Sequence, residues 1–288
     1  MNREERHPLP AAMRERVLDE LERIEREHDV VVLYACESGS RAWGFASPDS
    51  DYDVRFVYVH QPEWYQRVEE PRDVIECPLS DELDISGWEL RKALRLMRKS
   101  NPALLEWLGS PLVYREEPGV REELLWLGSA FHSVPGSRHH YLSMARKNYR
   151  GYLKGDSVRL KKYLYVLRPL FAVRWLDAGL GLPPVAFERL VEATLDDPSL
   201  REELDALLSL KRQRDESAYG PPRLALQRFI EAELLQAERG PPNQPARART
   251  ADCWIATSTT RYGNTQGKPH EKGPHRTRRQ RRRRADPA

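Results

Sequence analysis

The sequence predicts an α+β fold, with an N-terminal mixed sheet flanked by helices and an all-α helical C-terminal domain. Two observations carry this. Up to about residue 117, short β-prone apolar runs recur between turn signals, as the strands of a packed sheet do. From about Pro118 only helical periodicity remains, and glycine or proline separates most segments. The expected division is 1–117, 118–239 and a tail over 240–288.

In chain order, Val17, Leu18, Leu21 and Ile24 recur at three-to-four spacing and predict a helix over about Pro10 to Glu27, packed under the sheet. Val30-Val31-Val32-Leu33-Tyr34-Ala35 is short and rich in β-branched residues, and reads as a buried strand. Tyr52 to Val59 alternates Asp53 and Arg55 against Val54 and Phe56, a second strand entered through the turn residues Pro48-Asp49-Ser50. Trp64 to Glu70 predicts a short helix. Asp73 to Cys77 and Glu82 to Ile85 are two more strand candidates, with Pro78 to Asp81 as the loop between them. Ser86 is expected to cap a helix over Gly87 to Lys99, with Glu89 completing a capping box. Asn101 caps the next helix and Pro102 opens it, and Leu112-Val113-Tyr114 is the last strand expected. The later helices are expected over Val120 to Phe131, Ser137 to Leu153, Ser157 to Ala178, Pro184 to Leu195, Leu200 to Arg214, and Pro222 to Glu238.

The formal charge of +3 misleads. From Gly240 onward there are 12 Lys and Arg against 3 Asp and Glu, so the remainder of the chain, with 35 against 41, is mildly acidic. Whole-chain charge is therefore no argument for nucleic-acid binding by the folded part. The tail reads as disordered and basic. No run of about 18 apolar residues predicts a membrane span. The charged N-terminus is not followed by an apolar signal region, and the cytoplasm is the expected compartment. Cys36, Cys77 and Cys253 have neither disulfide-framework nor zinc spacing.

The chemistry centres on Gly39-Ser40-Arg41-Ala42-Trp43-Gly44 and Ser50-Asp51-Tyr52-Asp53. A glycine after a strand lets the backbone approach a ligand closely, and a helix opening at Ser40 would face an anion with its free amides. With a period of two, Asp51 and Asp53 share one strand face. Two carboxylates with no adjacent cation repel each other unless something positive sits between them. A divalent metal is the usual answer, and oxygen ligands alone point to Mg2+ or Mn2+. A phosphate cradle beside a metal-binding acid pair suggests nucleotidyl or phosphoryl transfer. His139 and His140 have no second ligand pair at metal spacing and are expected to pack or cap.

Gly39-Ser40 followed by Asp51-x-Asp53 resembles the signature of the DNA polymerase beta nucleotidyltransferase superfamily. Its pattern asks for a third carboxylate on a later strand, and Asp84, within Leu83-Asp84-Ile85, matches. Longer stretches carry the resemblance further: Gly-Ser-Arg-Ala-Trp-Gly, Ser-Asp-Tyr-Asp-Val-Arg, Ser-Asn-Pro-Ala-Leu-Leu-Glu-Trp-Leu and Lys-Lys-Tyr-Leu-Tyr-Val-Leu-Arg-Pro-Leu. These are similar to bacterial and phage polymerase-beta-like nucleotidyltransferases associated with RNA repair, over roughly residues 30–235.

The resemblance implies that Asp51, Asp53 and Asp84 ligate two metal ions, and that Asp84 takes the proton of an attacking hydroxyl. Gly39 and Ser40 would hold the β- and γ-phosphates, with a contact from Arg41. Lys161 and Lys162, on a helix of the second lobe, would clamp the triphosphate from the opposite side. The expected substrates are a nucleoside triphosphate and an RNA end. Alternatives are a protein or small-molecule acceptor, or a non-catalytic antitoxin-like module that binds nucleotide or RNA.

Overall fold

The computed structural model describes residues 9–77, 82–213 and 219–238. The chain opens with α1 (Ala11–His28), β1 (Val30–Glu37), α2 (Gly39–Trp43) and β2 (Tyr52–His60). A 3-10 turn (Pro62–Gln66), β3 (Val74–Glu76), β4 (Leu83–Glu89), α3 (Leu90–Arg98), α4 (Pro102–Leu108) and β5 (Val113–Glu116) follow. The strands form one five-stranded sheet in the order β3-β4-β2-β1-β5. β2 and β4 run parallel and the other neighbours antiparallel, so the sheet is mixed. Helix α1 buries Met13, Val17, Leu21 and Ile24, a stripe at helical spacing, against Val32, Val54, Phe56 and Tyr58 of the strands.

The second part holds α5 (Val120–Phe131), α6 (Val134–Tyr152), α7 (Lys161–Asp177), α8 (Phe187–Thr194), α9 (Pro198–Gln213) and α10 (Leu224–Glu238). It is not purely helical: β6 (Val158–Arg159) and β7 (Tyr219–Gly220) pair in a short antiparallel ladder, so α7 starts later than its expected helix. Helix α7 is the centre of a second core. Tyr163, Leu164 and every residue from Val166 to Val173 are buried, which leaves little of it solvated. Arg168 lies within this buried run.

Two other expectations fail at β4. The helix expected from Gly87 begins at Leu90, because Ser86 and Gly87 are still paired with both β2 and β3. Gly87 is needed there: a Cβ would lie 2.2 Å from the Phe56 ring. Glu89, not Ser86, is the cap, accepting from the amides of Arg91 at 2.8 Å and Lys92 at 3.4 Å. The short helix expected over Trp64 to Glu70 is the 3-10 turn Pro62–Gln66, set by Pro62 at its start. The loop Pro78 to Asp81, Arg214 at the end of an expected helix, Cys253 and the basic tail lie outside the described residues. Among the described residues no helix is long and apolar enough to cross a membrane.

Candidate active site

The site forms where β2 and β4 run side by side. Asp53 is the second residue of β2 and Asp84 the second of β4, and they are register partners. In a parallel pair such partners point to the same face. Leu83 and Ile85 turn inward and are buried, which sends Asp84 outward. Asp51 lies just before β2 and is exposed.

A cation stands between the strand acids, contrary to expectation. Arg55 Nη2 donates to Asp53 Oδ1 at 3.0 Å and to Asp84 Oδ2 at 2.7 Å, and Nη1 donates to the Asp84 carbonyl at 3.1 Å. Arg55 sits on the same β2 face as Asp53 because two residues separate them. The repulsion between Asp53 and Asp84 is thus answered within the chain.

Beneath Asp53 lies Glu37, the last residue of β1, fully buried. Its Oε1 accepts from the Asp53 amide at 2.9 Å and its Oε2 from the Tyr114 hydroxyl at 2.5 Å. Burial pushes its carboxyl up to about 7, against the pull of those two donors. The same burial, with Glu37 beside it, raises Tyr114 well above the usual phenol range.

Gly39 turns the chain from β1 into α2 at φ 58°. A Cβ there would lie 1.9 Å from Asp53 Oδ2, so only glycine lets the turn close against this carboxylate. Ser40 is buried within α2. Arg41 straps the loop back: Nη2 donates to the Ser50 carbonyl at 2.6 Å, Nε to that of Asp51 at 3.3 Å, and its guanidinium covers Tyr52 at 3.7 Å. Trp43 packs among Phe45, Tyr165 and the Arg168 guanidinium and serves as a packing residue.

Lys161 and Lys162 open α7. Lys162 Nζ lies 4.1 Å from the Tyr152 ring centre and 4.9 Å from that of Tyr165, whose ring stands edge-on to Trp43 at 5.6 Å. This brings the start of α7 to the end of the Gly39 turn.

Sequence reasoning missed four residues. Arg55 and Glu37 have been described. Arg168, only 2% exposed, donates to Glu106 Oε1 at 2.9 Å, which also accepts from Tyr141 at 2.8 Å. Lys211 on α9 is buried and donates to the hydroxyls of Ser47 at 3.4 Å and Ser50 at 3.3 Å, in the loop leading to Asp51.

The donor set suits a hard divalent ion: two carboxylates already converge on a positive nitrogen, and the atoms around it are oxygens. Among the described residues, no three acid, thiol or imidazole side chains are gathered as a ligand cluster. A cavity of about 1190 Å³ lies between α2, α4, the 182–192 segment and α9. Arg41 and Trp43 line it, but none of the three acids does.

The fold is that of an α+β nucleotidyltransferase-like protein. Residues 13–256 match the RNA repair pathway DNA polymerase beta family, and the chain belongs to it. The match reaches beyond the stretch that carried the resemblance in sequence, on both sides. The chain is 49% identical over 222 residues to YcgL of Bacillus subtilis (strain 168), an uncharacterized protein, covering 77% of this chain and 85% of that one. A crystal structure of a nucleotidyltransferase-like protein from Exiguobacterium sibiricum 255-15 aligns over 77% of this chain and 73% of its own, at 15% identity and a TM-score of 0.29.

Proposed function

We propose that the protein transfers a nucleoside monophosphate from a nucleoside triphosphate to a hydroxyl at an RNA end, releasing pyrophosphate. The observation that carries this reading is the Asp53–Asp84 register pair, with Asp53 directly against the Gly39 turn. The RNA acceptor is supported by the family to which the chain belongs.

In this reading the Gly39-Ser40 turn receives the β- and γ-phosphates, and Arg41 keeps that loop closed over Ser50 and Asp51. Lys161 and Lys162 add positive charge from the second lobe. Asp51, Asp53 and Asp84 would hold Mg2+ or Mn2+, and the ion would supply charge neutralisation at the phosphates and a lowered pKa for the attacking hydroxyl. The acceptor oxygen bonds to the α-phosphorus as the bond from that phosphorus to the β-phosphate oxygen breaks. Pyrophosphate leaves with the electron pair, and the hydroxyl proton passes to the Asp84 carboxylate.

The test is incubation with each labelled nucleoside triphosphate, Mg2+ or Mn2+, and RNA ends. Label should move to RNA with the native protein and fall by about 10³-fold or more in Asp51→Ala/Asp53→Ala. Undiminished transfer by that variant would overturn the assignment of the acids. Label appearing on the protein without RNA would redirect the acceptor to a side chain.

A further inference from the structure

We infer that the corner where α6, β6 and α7 meet is the docking surface for a single-stranded RNA acceptor. The inference rests on the nucleotidyl-transfer reading and adds the surface along which the acceptor approaches. From Arg150 to Lys162 the chain carries Arg150, Lys154, Arg159, Lys161 and Lys162 against a single acid, Asp156. The folded part as a whole is acidic, so this stretch is a local reversal of charge.

Two tyrosines project from the same corner, Tyr152 at 47% and Tyr219 at 56% exposure. Each has a cation on its ring. Lys162 Nζ lies 4.1 Å from the Tyr152 centroid, and the Arg159 guanidinium 5.3 Å from that of Tyr219. Arg159 Nε also donates to the Tyr219 hydroxyl at 2.8 Å, and the β6–β7 ladder sets the two residues opposite each other. Lys154 lies over Tyr149 at 4.6 Å and is answered by Glu231 of α10 at 3.8 Å, so the cations set against the exposed rings are Arg159 and Lys162.

Open aromatic faces interleaved with cations are what an unpaired strand needs: bases stack on the rings and phosphates meet the charges. A duplex buries its base faces in its own stack and gains only the charge term. The corner is also continuous with the candidate site. Lys162 touches both Tyr152 and Tyr165, and Tyr165 packs on Trp43 at the end of the Gly39 turn.

The test uses the full chain, a short fluorescein-labelled single-stranded RNA, and the same RNA annealed to its complement. Anisotropy should show tighter binding of the single strand, and Tyr152→Ala and Tyr219→Ala should each raise its Kd about tenfold. Arg159→Gln should flatten the salt dependence. Nucleoside triphosphates should protect all these variants and the native protein equally against heat. Where alanine loosens the corner, Tyr152→Leu keeps an apolar side chain without a π face. RNA carrying 5-iodouridine should photocrosslink to Tyr152 or Tyr219. Crosslinks confined to residues 240–288, or an unchanged Kd in Tyr152→Ala/Tyr219→Ala, would overturn the proposal. Crosslinking at these tyrosines without any label transfer would keep the surface and sink the transfer reaction. Transfer with an unaltered KM for RNA in the double variant would do the reverse.

Discussion

Arg55 and Arg168 both neutralise carboxylates, in opposite surroundings. Arg55 bridges Asp53 and Asp84 at the end of the sheet, with its side chain 19% exposed and those of the acids 27% and 33%. Arg168 lies within the helical core at 2% exposure and meets Glu106 at 2.9 Å. Water reaches the first group, so its partners can be exchanged for other charges at modest cost. The second is drier on the arginine side, since Arg168 is 2% exposed and Glu106 13%, and losing Glu106 would strand a buried guanidinium. The same residue type is a replaceable counter-ion in one place and a structural fixture in the other.

The largest effect is expected at the drier pair. Arg168→Ala should destabilise the fold by about 2–3 kcal/mol, because the core loses a large side chain and the half-buried Glu106 keeps only its hydrogen bond from Tyr141. Arg168→Met/Glu106→Gln should recover much of that loss. Urea unfolding would measure both, and equal stability of Arg168→Ala and native protein would erase the contrast with Arg55.

Glu37 is a buried acid whose hydrogen-bond donors are neutral. Glu37 has its carboxyl raised from the ordinary range to about 7. The folded state therefore holds a proton that the unfolded chain has released between about pH 4.5 and 7. The Glu37 contribution to stability is thus full below that window and is lost as pH rises through it, by a few kcal/mol. Glu37→Gln should remove this pH dependence. Melting temperatures of the two proteins across the window give the difference, and parallel curves would refute it.

The smallest effect is expected at Arg55. Arg55→Gln should cost under about 1 kcal/mol of stability. It should tighten Mn2+ binding severalfold, since the competing charge between Asp53 and Asp84 is gone. Titration of Mn2+ followed by paramagnetic resonance reads this without any turnover, and weaker binding in the variant would show that Arg55 supports the ion instead of competing with it.

Much of the sheet was legible because its signals are local. Asp84 stands between Leu83 and Ile85, and that alternation alone sends it to the face of Asp53. The capping box at Ser86 was also locally sound, but cross-strand pairing on both sides of β4 overrode it. The missed residues are those whose surroundings come from distant segments. Glu37 ends an apolar strand, where an acid looks like a loop residue, and Tyr114 arrives only on folding. Lys211 did leave a trace: it continues the stripe of Leu200, Leu204 and Leu207 along α9, where a charged residue in an apolar series marks a buried partner. Arg168 falls between Leu164 and Phe171 in the same manner.

Phe45 belongs to the helical core although it follows α2 by two residues, and its ring meets Phe187 edge-on at 5.5 Å. Lys211 on α9 holds the loop that follows through Ser47 and Ser50, and Arg168 on α7 covers Trp43 at the end of α2. A gene cut at residue 117 would consequently yield an amino-terminal fragment with an unsatisfied aromatic plug and a carboxy-terminal fragment with a hole to match. Co-expressed, the two pieces should find each other through that plug, whereas either alone should require a chaperone or precipitate.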